Sequence, residues 1–327
     1  MEYTQLGRTA LRVSRLCLGT VNFGGRVDEE AGHRLMTRAL EHGLNFLDTA
    51  DMYGWRVHKG YTEETIGRWF AGDPARRERV VLSTKVGNGM SPAPNDSGLS
   101  ARHIVASCEA SLRRLGTDRI DLYQMHHIDR SAPWDEVWQA MDLLVSQGKV
   151  LYVGSSNFAG WHVATAQEAA LRRHSLGLVA ESCVYNLVSR QVELELLPAA
   201  RAYGLAVLPW SPLHGGLLGG VLDKLREGTA VKSAQGRAVP ALKEHEQRVE
   251  SYENLCREIG VPPAQVGLAW VLSRPGVTSP VIGPRTDEQL DGALAALELR
   301  LDPQLLSRLD ELFPGPGAEA PEAWITA

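Results

Sequence analysis

Cysteine is scarce in this sequence and forms no paired motif. The 327 residues include four cysteines, which lie far apart without a C-x-x-C pair: Cys17, Cys108, Cys183 and Cys256. Four cysteines could form two disulfide bonds, but a chain of this length can bury enough apolar surface without covalent cross-links. We therefore expect reduced thiols in a cytoplasmic protein.

Three other missing features argue against whole classes of partner. No uninterrupted apolar run approaches the roughly 18 residues that cross a bilayer. The first residues, MEYTQ, lack the basic flank and apolar core of a secretory signal. The formal net charge of −5 includes no basic excess. We therefore expect neither a membrane nor a nucleic acid as the main partner, and homo-oligomerisation is left open.

The chain does contain a regular alternation of strand-like and helix-like segments. Short apolar runs of the strand type occur at 16–19, 45–49, 80–85, 121–126, 150–157, 178–182, 206–211 and 279–283. Helix-period patterns lie between them, at 29–42, 62–71, 100–115, 133–147, 160–174 and 192–203, with two more after residue 241. Glycines stand where helices should stop, at 116, 148, 204 and 260.

Eight strands that alternate with helices over about 300 residues predict an α/β fold, a (β/α)8 TIM barrel. An open, doubly wound sheet is the alternative, but no G-x-G-x-x-G follows an early strand. Residues 2–15 predict a β-hairpin ahead of the barrel. The long interval after the seventh strand predicts a mobile loop at 214–240. The Pro- and Gly-rich residues 314–327 predict an irregular C-terminal extension, so that 1–327 forms a single barrel domain.

Polar residues collect where the predicted strands end, which is the catalytic face of such barrels. This set comprises Gly19, Thr20, Asp48, Tyr53, Lys85, His126, His127, Ser156, Asn157, Glu181, Ser182, Trp210, Ser211, Gly283 and Arg285. Each residue also has a purely structural interpretation. Lys85 alone could be a surface lysine, and His126 alone could be a hydrogen-bonded core histidine. As a group they indicate an active site, since barrel interiors are usually filled by branched apolar side chains.

The residue types at these strand ends suit proton donation to a carbonyl oxygen. Asp48 can supply the counter-charge that a buried Lys85 needs. The Lys85 cation should lower the pKa of Tyr53 from its ordinary value near 10, and His126 can hydrogen-bond the carbonyl oxygen. None of these side chains can deliver a hydride, so an external reductant is required. His126 and His127 should point in opposite directions, so we predict no metal site.

Several motifs together resemble the aldo-keto reductase superfamily over nearly the whole chain. They are NFLDTADMYG at 45–54, STK at 83–85, LRRLG at 112–116, DLYQMH at 121–126, GSSNF at 154–158, WSPL at 210–213 and VIGPR at 281–285. Trp210 and the GGLLG segment at 215–219 resemble the bacterial and potassium-channel β-subunit-like members. The resemblance implies an NADP(H)-dependent oxidoreductase that acts on a small-molecule carbonyl substrate. Its catalytic tetrad would be Asp48, Tyr53, Lys85 and His126, with Tyr53 as the general acid.

The same resemblance implies a set of cofactor-contacting residues. They are Gly19, Thr20, Asp48, Ser156, Asn157, Ser182, Trp210, Ser211, Leu213, Gly215, Gly283, Arg285 and Gln289. Ser156 and Asn157 would hold the nicotinamide carboxamide, and Trp210 would stack on the ring. Arg285 would bind the 2′-phosphate, because a guanidinium matches the geometry of that dianion.

Two positions depart from the residue pattern of the superfamily. Ser182 and Ala293 replace a glutamine and an asparagine that usually contact the cofactor, which puts the cofactor affinity in question.

Trp55 and His127 lie near the predicted mouth and could contact a sugar-derived substrate, or they could be ordinary surface residues. An NADP(H)-binding regulatory subunit with incidental turnover is the alternative function, and a metal-dependent barrel hydrolase is a third reading.

Overall fold

Eight parallel strands close into a barrel in the computed structural model, which describes residues 1–228 and 238–325. An antiparallel hairpin, β1 (Tyr3–Gln5) and β2 (Arg12–Ser14), precedes the barrel. The barrel strands are β3 (Cys17–Gly19), β4 (Phe46–Asp48), β5 (Val81–Val86), β6 (Ile120–Met125), β7 (Val150–Ser156), β8 (Leu178–Val184), β9 (Ala206–Trp210) and β10 (Val281–Ile282). Pairing of β10 with β3 closes the circle. The predicted hairpin and (β/α)8 barrel are confirmed, and the open-sheet alternative is wrong.

Helices follow the strands and surround the barrel. They are α1 (Glu29–Glu41), α2 (Tyr61–Gly72), α3 (Ala75–Arg79), α4 (Ala101–Leu115), α5 (Trp134–Ser146), α6 (Gly160–Arg172), α7 (Leu196–Tyr203), α8 (Val221–Arg226), α9 (Ala238–Glu258), α10 (Pro263–Ser273), α11 (Asp287–Ala295) and α12 (Pro303–Leu312). The predicted helix at 192–203 is wrong in its first turn. A 3-10 segment, Gln191–Glu193, precedes α7, because the ring of Pro198 would clash with the carbonyl of residue 194 in a continuous α-helix.

The predicted glycine stops coincide with left-handed backbone. Gly116 ends α4 with a φ of 62°, and the glycines at 148, 204 and 260 also have positive φ. A Cβ at position 116 would meet no atom within 4 Å, so backbone conformation alone favours glycine there. The sequence therefore specified where these helices stop.

The long interval after β9 is only partly the loop that the sequence predicts. It contains a 3-10 turn, His214–Gly216, and the short helix α8, which pattern analysis missed because six residues span too few turns. Within the predicted loop at 214–240, residues 229–237 lie outside the described part of the chain. The predicted irregular tail at 314–327 is described as far as 325 and includes a 3-10 turn, Glu322–Trp324.

The end of the barrel where the strands begin is closed by apolar side chains. Leu6 and Val13 of the hairpin are fully buried and pack in one cluster with Phe46, Leu122 and Leu208. This apolar cluster closes the N-terminal end of the barrel to water. Polar side chains therefore occupy the opposite end, where the strands finish.

The four cysteines are free and buried, as the reduced-thiol prediction requires. Burial raises the pKa of the Cys17 thiol well above its ordinary value, and the nearby charge of Asp48 adds to the rise. Within residues 1–228 and 238–325, no helix is both long and apolar enough to span a bilayer.

Candidate active site

A buried ion pair joins the ends of two neighbouring strands. Asp48 is the last residue of β4 and Lys85 is the fifth of β5, and Lys85 Nζ lies 2.5 Å from Asp48 Oδ2. The ammonium also donates to the carbonyl oxygen of Thr49 at 2.8 Å. Burial would lower the pKa of Lys85, but the charge and the hydrogen bond of Asp48, with a contribution from Tyr53, outweigh it and raise the pKa above its ordinary value. Lys85 is therefore a cation at neutral pH.

The second carboxylate oxygen of Asp48 is held by two residues that sequence reasoning missed. Ser83 Oγ and Gln124 Nε2 donate to Asp48 Oδ1 at 3.2 and 3.1 Å, and Gln124 Nε2 also donates to Ser83 Oγ at 2.6 Å. Gln124 is the fifth residue of β6, and its side chain points into the barrel toward Asp48. A polar residue on the inward face was the signal that could have identified it.

Tyr53 lies on the loop that leaves β4 and is partly buried. The loop turns at Gly54, whose φ is 88° and whose Cβ, if present, would lie 2.6 Å from Cβ of Tyr61. Only glycine fits this turn without strain. The Tyr53 ring centroid lies 5.1 Å from Lys85 Nζ and 5.8 Å from that of His126, in an edge-on arrangement. The structure thus brings the four predicted catalytic residues together.

Lys85 lowers the pKa of Tyr53 as predicted, but the net shift of that pKa is upward. Burial raises the pKa of Tyr53, and this effect outweighs the opposing charge and hydrogen bond of Lys85. The negative charge of Asp48 raises the pKa further. The phenol is consequently protonated at neutral pH, although Lys85 by itself favours the phenolate.

His126 follows β6 directly and is 9% exposed. Burial lowers its pKa to about 2, with further contributions from the charges of Lys85 and His127, so the ring is neutral. Its Nδ1 lies 2.7 Å from Nδ2 of Asn88, a residue that the sequence interpretation overlooked.

The expectation that His126 and His127 point in opposite directions is wrong. Their rings are parallel within 1°, with centroids 5.0 Å apart. His127 lies beyond the end of β6, where the alternation of side chains along a strand no longer applies. Within the part of the chain that the structure describes, no group of three or more His, Cys, Asp and Glu is arranged to hold a metal ion.

Ser156, Asn157 and Trp210 form one hydrogen-bonded group beside His126. Trp210 Nε1 donates to Asn157 Oδ1 at 3.1 Å, while Asn157 Nδ2 donates to Ser156 Oγ and to the carbonyl oxygen of His126, each at 3.0 Å. Asn157 has a φ of 62°, which is rare for a residue with a side chain and often marks functional loops.

A buried carboxyl group supports this loop from beneath. Glu181 is fully buried and accepts a hydrogen bond from the Phe158 amide at 2.9 Å and another from the Ser155 hydroxyl. Burial raises the pKa of Glu181 to about 8, against the opposing hydrogen bonds. The glutamate anchors the residues on either side of Ser156 and Asn157.

Three of the predicted cofactor residues make contacts within the barrel wall. Thr20 Oγ1 donates to the carbonyl oxygen of Asp48 at 3.0 Å, and Ser182 Oγ donates to that of Leu208 at 3.2 Å. A Cβ on Gly19 would lie 2.6 Å from the side chain of Val281, so this glycine allows the barrel to close.

The remaining predicted cofactor residues line the face from β9 to α11. Ser211 Oγ accepts from the Gly215 amide at 2.9 Å, whereas Leu213 is partly buried against the core. The carbonyl oxygen of Gly283 accepts from Asn22 Nδ2, also at 2.9 Å.

Arg285 lies immediately before the N-terminus of α11. Its backbone amide donates to Gln289 Oε1 at 2.9 Å, and Thr286 caps the helix. Burial lowers the pKa values of Arg26 and Lys224, and the charge of Arg285 lowers both further. Arg26 and Lys224 therefore both lie near Arg285 at this end of the face.

Trp55 and Asp51 flank the tyrosine loop on its outer and inner sides. Trp55 is 46% exposed, and its ring centroid lies 6.4 Å from that of Tyr53. Asp51 is fully buried, and burial together with the charge of Glu63 raises its pKa well above its ordinary value. Glu63 pairs with Arg114 at 2.7 Å. Trp55 therefore lies at the mouth, and Asp51 lies behind the loop.

Comparison with known proteins identifies the family. The Aldo/keto reductase family profile matches residues 15–313. The chain is 52% identical to "Uncharacterized oxidoreductase YrpG" of Bacillus subtilis (strain 168), with 99% of each chain covered. It is 32% identical to versiconal hemiacetal acetate reductase of Aspergillus parasiticus, over 96% of this chain and 97% of that one. It is 34% identical to a probable voltage-gated potassium channel subunit beta of Oryza sativa subsp. japonica, over 95% and 96%.

The chain therefore belongs to the aldo/keto reductase family and is an oxidoreductase. The resemblance inferred from the sequence motifs is confirmed, including the presence of channel β-subunits among the relatives.

Proposed function

We propose that this aldo/keto reductase family member reduces an aldehyde or ketone to the alcohol, with NADPH as reductant and Tyr53 as proton donor. The observation that carries the proposal is the position of Lys85, which contacts Asp48 and lies against Tyr53 beside a neutral His126. These are the groups that donate a proton to a carbonyl oxygen and orient it.

The chain's own residues fit a nicotinamide dinucleotide phosphate. Trp210 offers an aromatic ring next to Asn157 and Ser156, whose polar atoms can bond a carboxamide. Arg285 precedes a nine-residue helix whose N-terminus attracts phosphate, and its guanidinium suits the 2′-phosphate. When bound, the nicotinamide supplies the hydride.

Tyr53 holds the proton that the reduced oxygen requires. Its raised pKa keeps the phenol protonated at neutral pH. Once the proton leaves, the Lys85 cation stabilises the phenolate, and Asp48 holds that cation in place through a contact of 2.5 Å. The neutral ring of His126 can donate a hydrogen bond that aligns the carbonyl oxygen.

The substrate enters, in this proposal, past Trp55 and His127. Both are exposed, and both lie next to rings of the candidate tetrad. Aromatic and imidazole rings can contact a sugar-derived carbonyl compound, so such compounds belong in the first screen.

The test is oxidation of NADPH by the purified protein with a panel of aldehydes, ketones, α-dicarbonyls and sugar-derived carbonyl compounds. We expect turnover with at least one class. Absence of turnover with every compound would contradict the proposal.

A second candidate function is an NADP(H)-binding regulatory subunit. The observation that favours it is the 34% identity to a protein named as a probable potassium-channel β-subunit. Tight cofactor retention, slow turnover and a stable complex with a partner protein would support this role over the reductase.

A further inference from the structure

We propose that Asn88 is a positioning residue that places the proton of His126 on Nε2, the ring nitrogen left to face a substrate. The inference rests on the proposed reductase function for its catalytic meaning, but the proton's location can be measured without a substrate.

The contact between the two side chains is short and protected. Asn88 Nδ2 lies 2.7 Å from His126 Nδ1, and His126 is only 9% exposed. An amide nitrogen can donate a hydrogen bond but cannot accept one. With the amide nitrogen facing the ring, Nδ1 accepts, and a neutral imidazole that accepts at Nδ1 carries its single proton on Nε2.

The argument for the Nε2 proton also requires a neutral ring, and the surroundings of His126 keep the ring neutral. Burial, with the charge of Lys85 and the adjacent His127, lowers the pKa of His126 to about 2. A doubly protonated ring, which could not accept at Nδ1, is therefore insignificant at neutral pH.

The backbone that carries Asn88 is held on several sides. The amide of Gly98 donates to the carbonyl oxygen of Gly87 at 2.9 Å, on the residue just before Asn88. Lys59 donates to the carbonyl oxygen of Gly89, just after it. The side chain of His103, which is 2% exposed, hydrogen-bonds the Asn88 backbone. Such support keeps the amide in one position relative to the imidazole.

The location of the proton decides what His126 can do for a carbonyl oxygen. With the proton on Nε2, the ring donates a hydrogen bond and helps Tyr53 to polarise the carbonyl. With the proton on Nδ1, the lone pair of Nε2 would face the oxygen lone pairs and repel them. Asn88 thus selects the Nε2-protonated tautomer of His126, which can donate to the carbonyl oxygen.

The test is the 15N NMR pattern of the His126 ring, recorded on the full chain and assigned by its loss in His126→Gln. We expect wild-type protein to show the Nε2-protonated form. Asn88→Asp should move the proton to Nδ1, because a carboxylate can only accept. Asn95→Asp makes the same change at an exposed site of the same loop and should leave the pattern intact.

Two spectroscopic outcomes would overturn the proposal. A wild-type pattern with the proton on Nδ1 would mean that the amide oxygen, not its nitrogen, faces the ring. An unchanged pattern in Asn88→Asp would mean that Asn88 does not determine the tautomer.

Kinetics adds the functional readout. We expect Asn88→Asp to lower kcat on the order of 10²-fold, as removal of an oriented donor does, while cofactor affinity stays unchanged. A shifted proton with wild-type kcat would overturn the positioning role. If no carbonyl compound is reduced at all, the reductase proposal fails, yet the spectroscopic result still decides the tautomer.

Discussion

Asp48 Oδ2 and Lys85 Nζ lie 2.5 Å apart, and both side chains are almost completely buried. Desolvation of two charges offsets much of their attraction, so the pair adds little net stability compared with apolar residues. Removal of one partner is different, because it leaves an uncompensated charge inside the barrel.

The first prediction concerns the cost of removing one partner of the Asp48–Lys85 pair. Lys85→Met and Asp48→Asn should each lower the free energy of unfolding by about 3–5 kcal/mol, measured by urea denaturation. The double variant should lose less than the sum. Lys149→Met breaks a partly exposed pair with Glu109 and should cost much less, because solvent screens that pair. Equal losses for Lys85→Met and Lys149→Met would refute the argument.

The second prediction tests the proton donor. Tyr53→Phe should lower kcat by about 10²- to 10⁴-fold, because the ring remains but the acidic hydroxyl is removed. The dissociation constant for NADPH, from fluorescence titration, should stay within about twofold, since the change is below 1 kcal/mol. Tyr203→Phe removes a hydroxyl that bonds Glu168 on the outer helices and should behave as wild type. Full activity in Tyr53→Phe would rule out the general-acid role.

The third prediction tests cofactor choice. Arg285→Ala should weaken NADPH binding by about ten- to a hundredfold, the value of a charge-assisted hydrogen bond, and NADH binding much less. Arg300→Ala is a suitable control, because Arg300 is exposed and its side chain donates to the nearby Leu297 carbonyl oxygen. If Arg285→Ala weakened both cofactors equally, the assignment to the 2′-phosphate would be wrong.

The fourth prediction concerns pH and Glu181. The unfolded carboxyl group loses its proton near its ordinary pKa of 4.5, whereas burial keeps the folded group protonated up to a pKa of about 8. Between these values the folded state binds more protons, so stability should fall as pH rises. Each unit of difference corresponds to about 1.4 kcal/mol.

Unfolding midpoints measured across pH 4–9 check this expectation. The Glu181→Gln variant keeps an acceptor for the Phe158 amide and cannot ionise. Its unfolding free energy should therefore vary less with pH than that of wild type over the same window. Parallel pH profiles for the two proteins would contradict the prediction.

The fold was largely predictable because it depends on periodic and local signals. Apolar runs marked the eight barrel strands, and left-handed glycines such as Gly116 marked helix ends. Short helices such as α8 were missed, since one or two turns produce no measurable period. Pro198 is a local signal that was overlooked, and its consequence is the late start of α7.

The sequence by itself determined the barrel, the family and the set of strand-end residues, because residues at strand ends share one face wherever parallel strands close. Only the tertiary structure decided how these residues affect one another. Burial, which raises the pKa of Tyr53 despite Lys85, depends on atoms from the whole fold. The contact of Asn88 with His126 joins two loops 38 residues apart. No spacing predicts such a contact, because loop backbones have no fixed period and packing alone sets their positions.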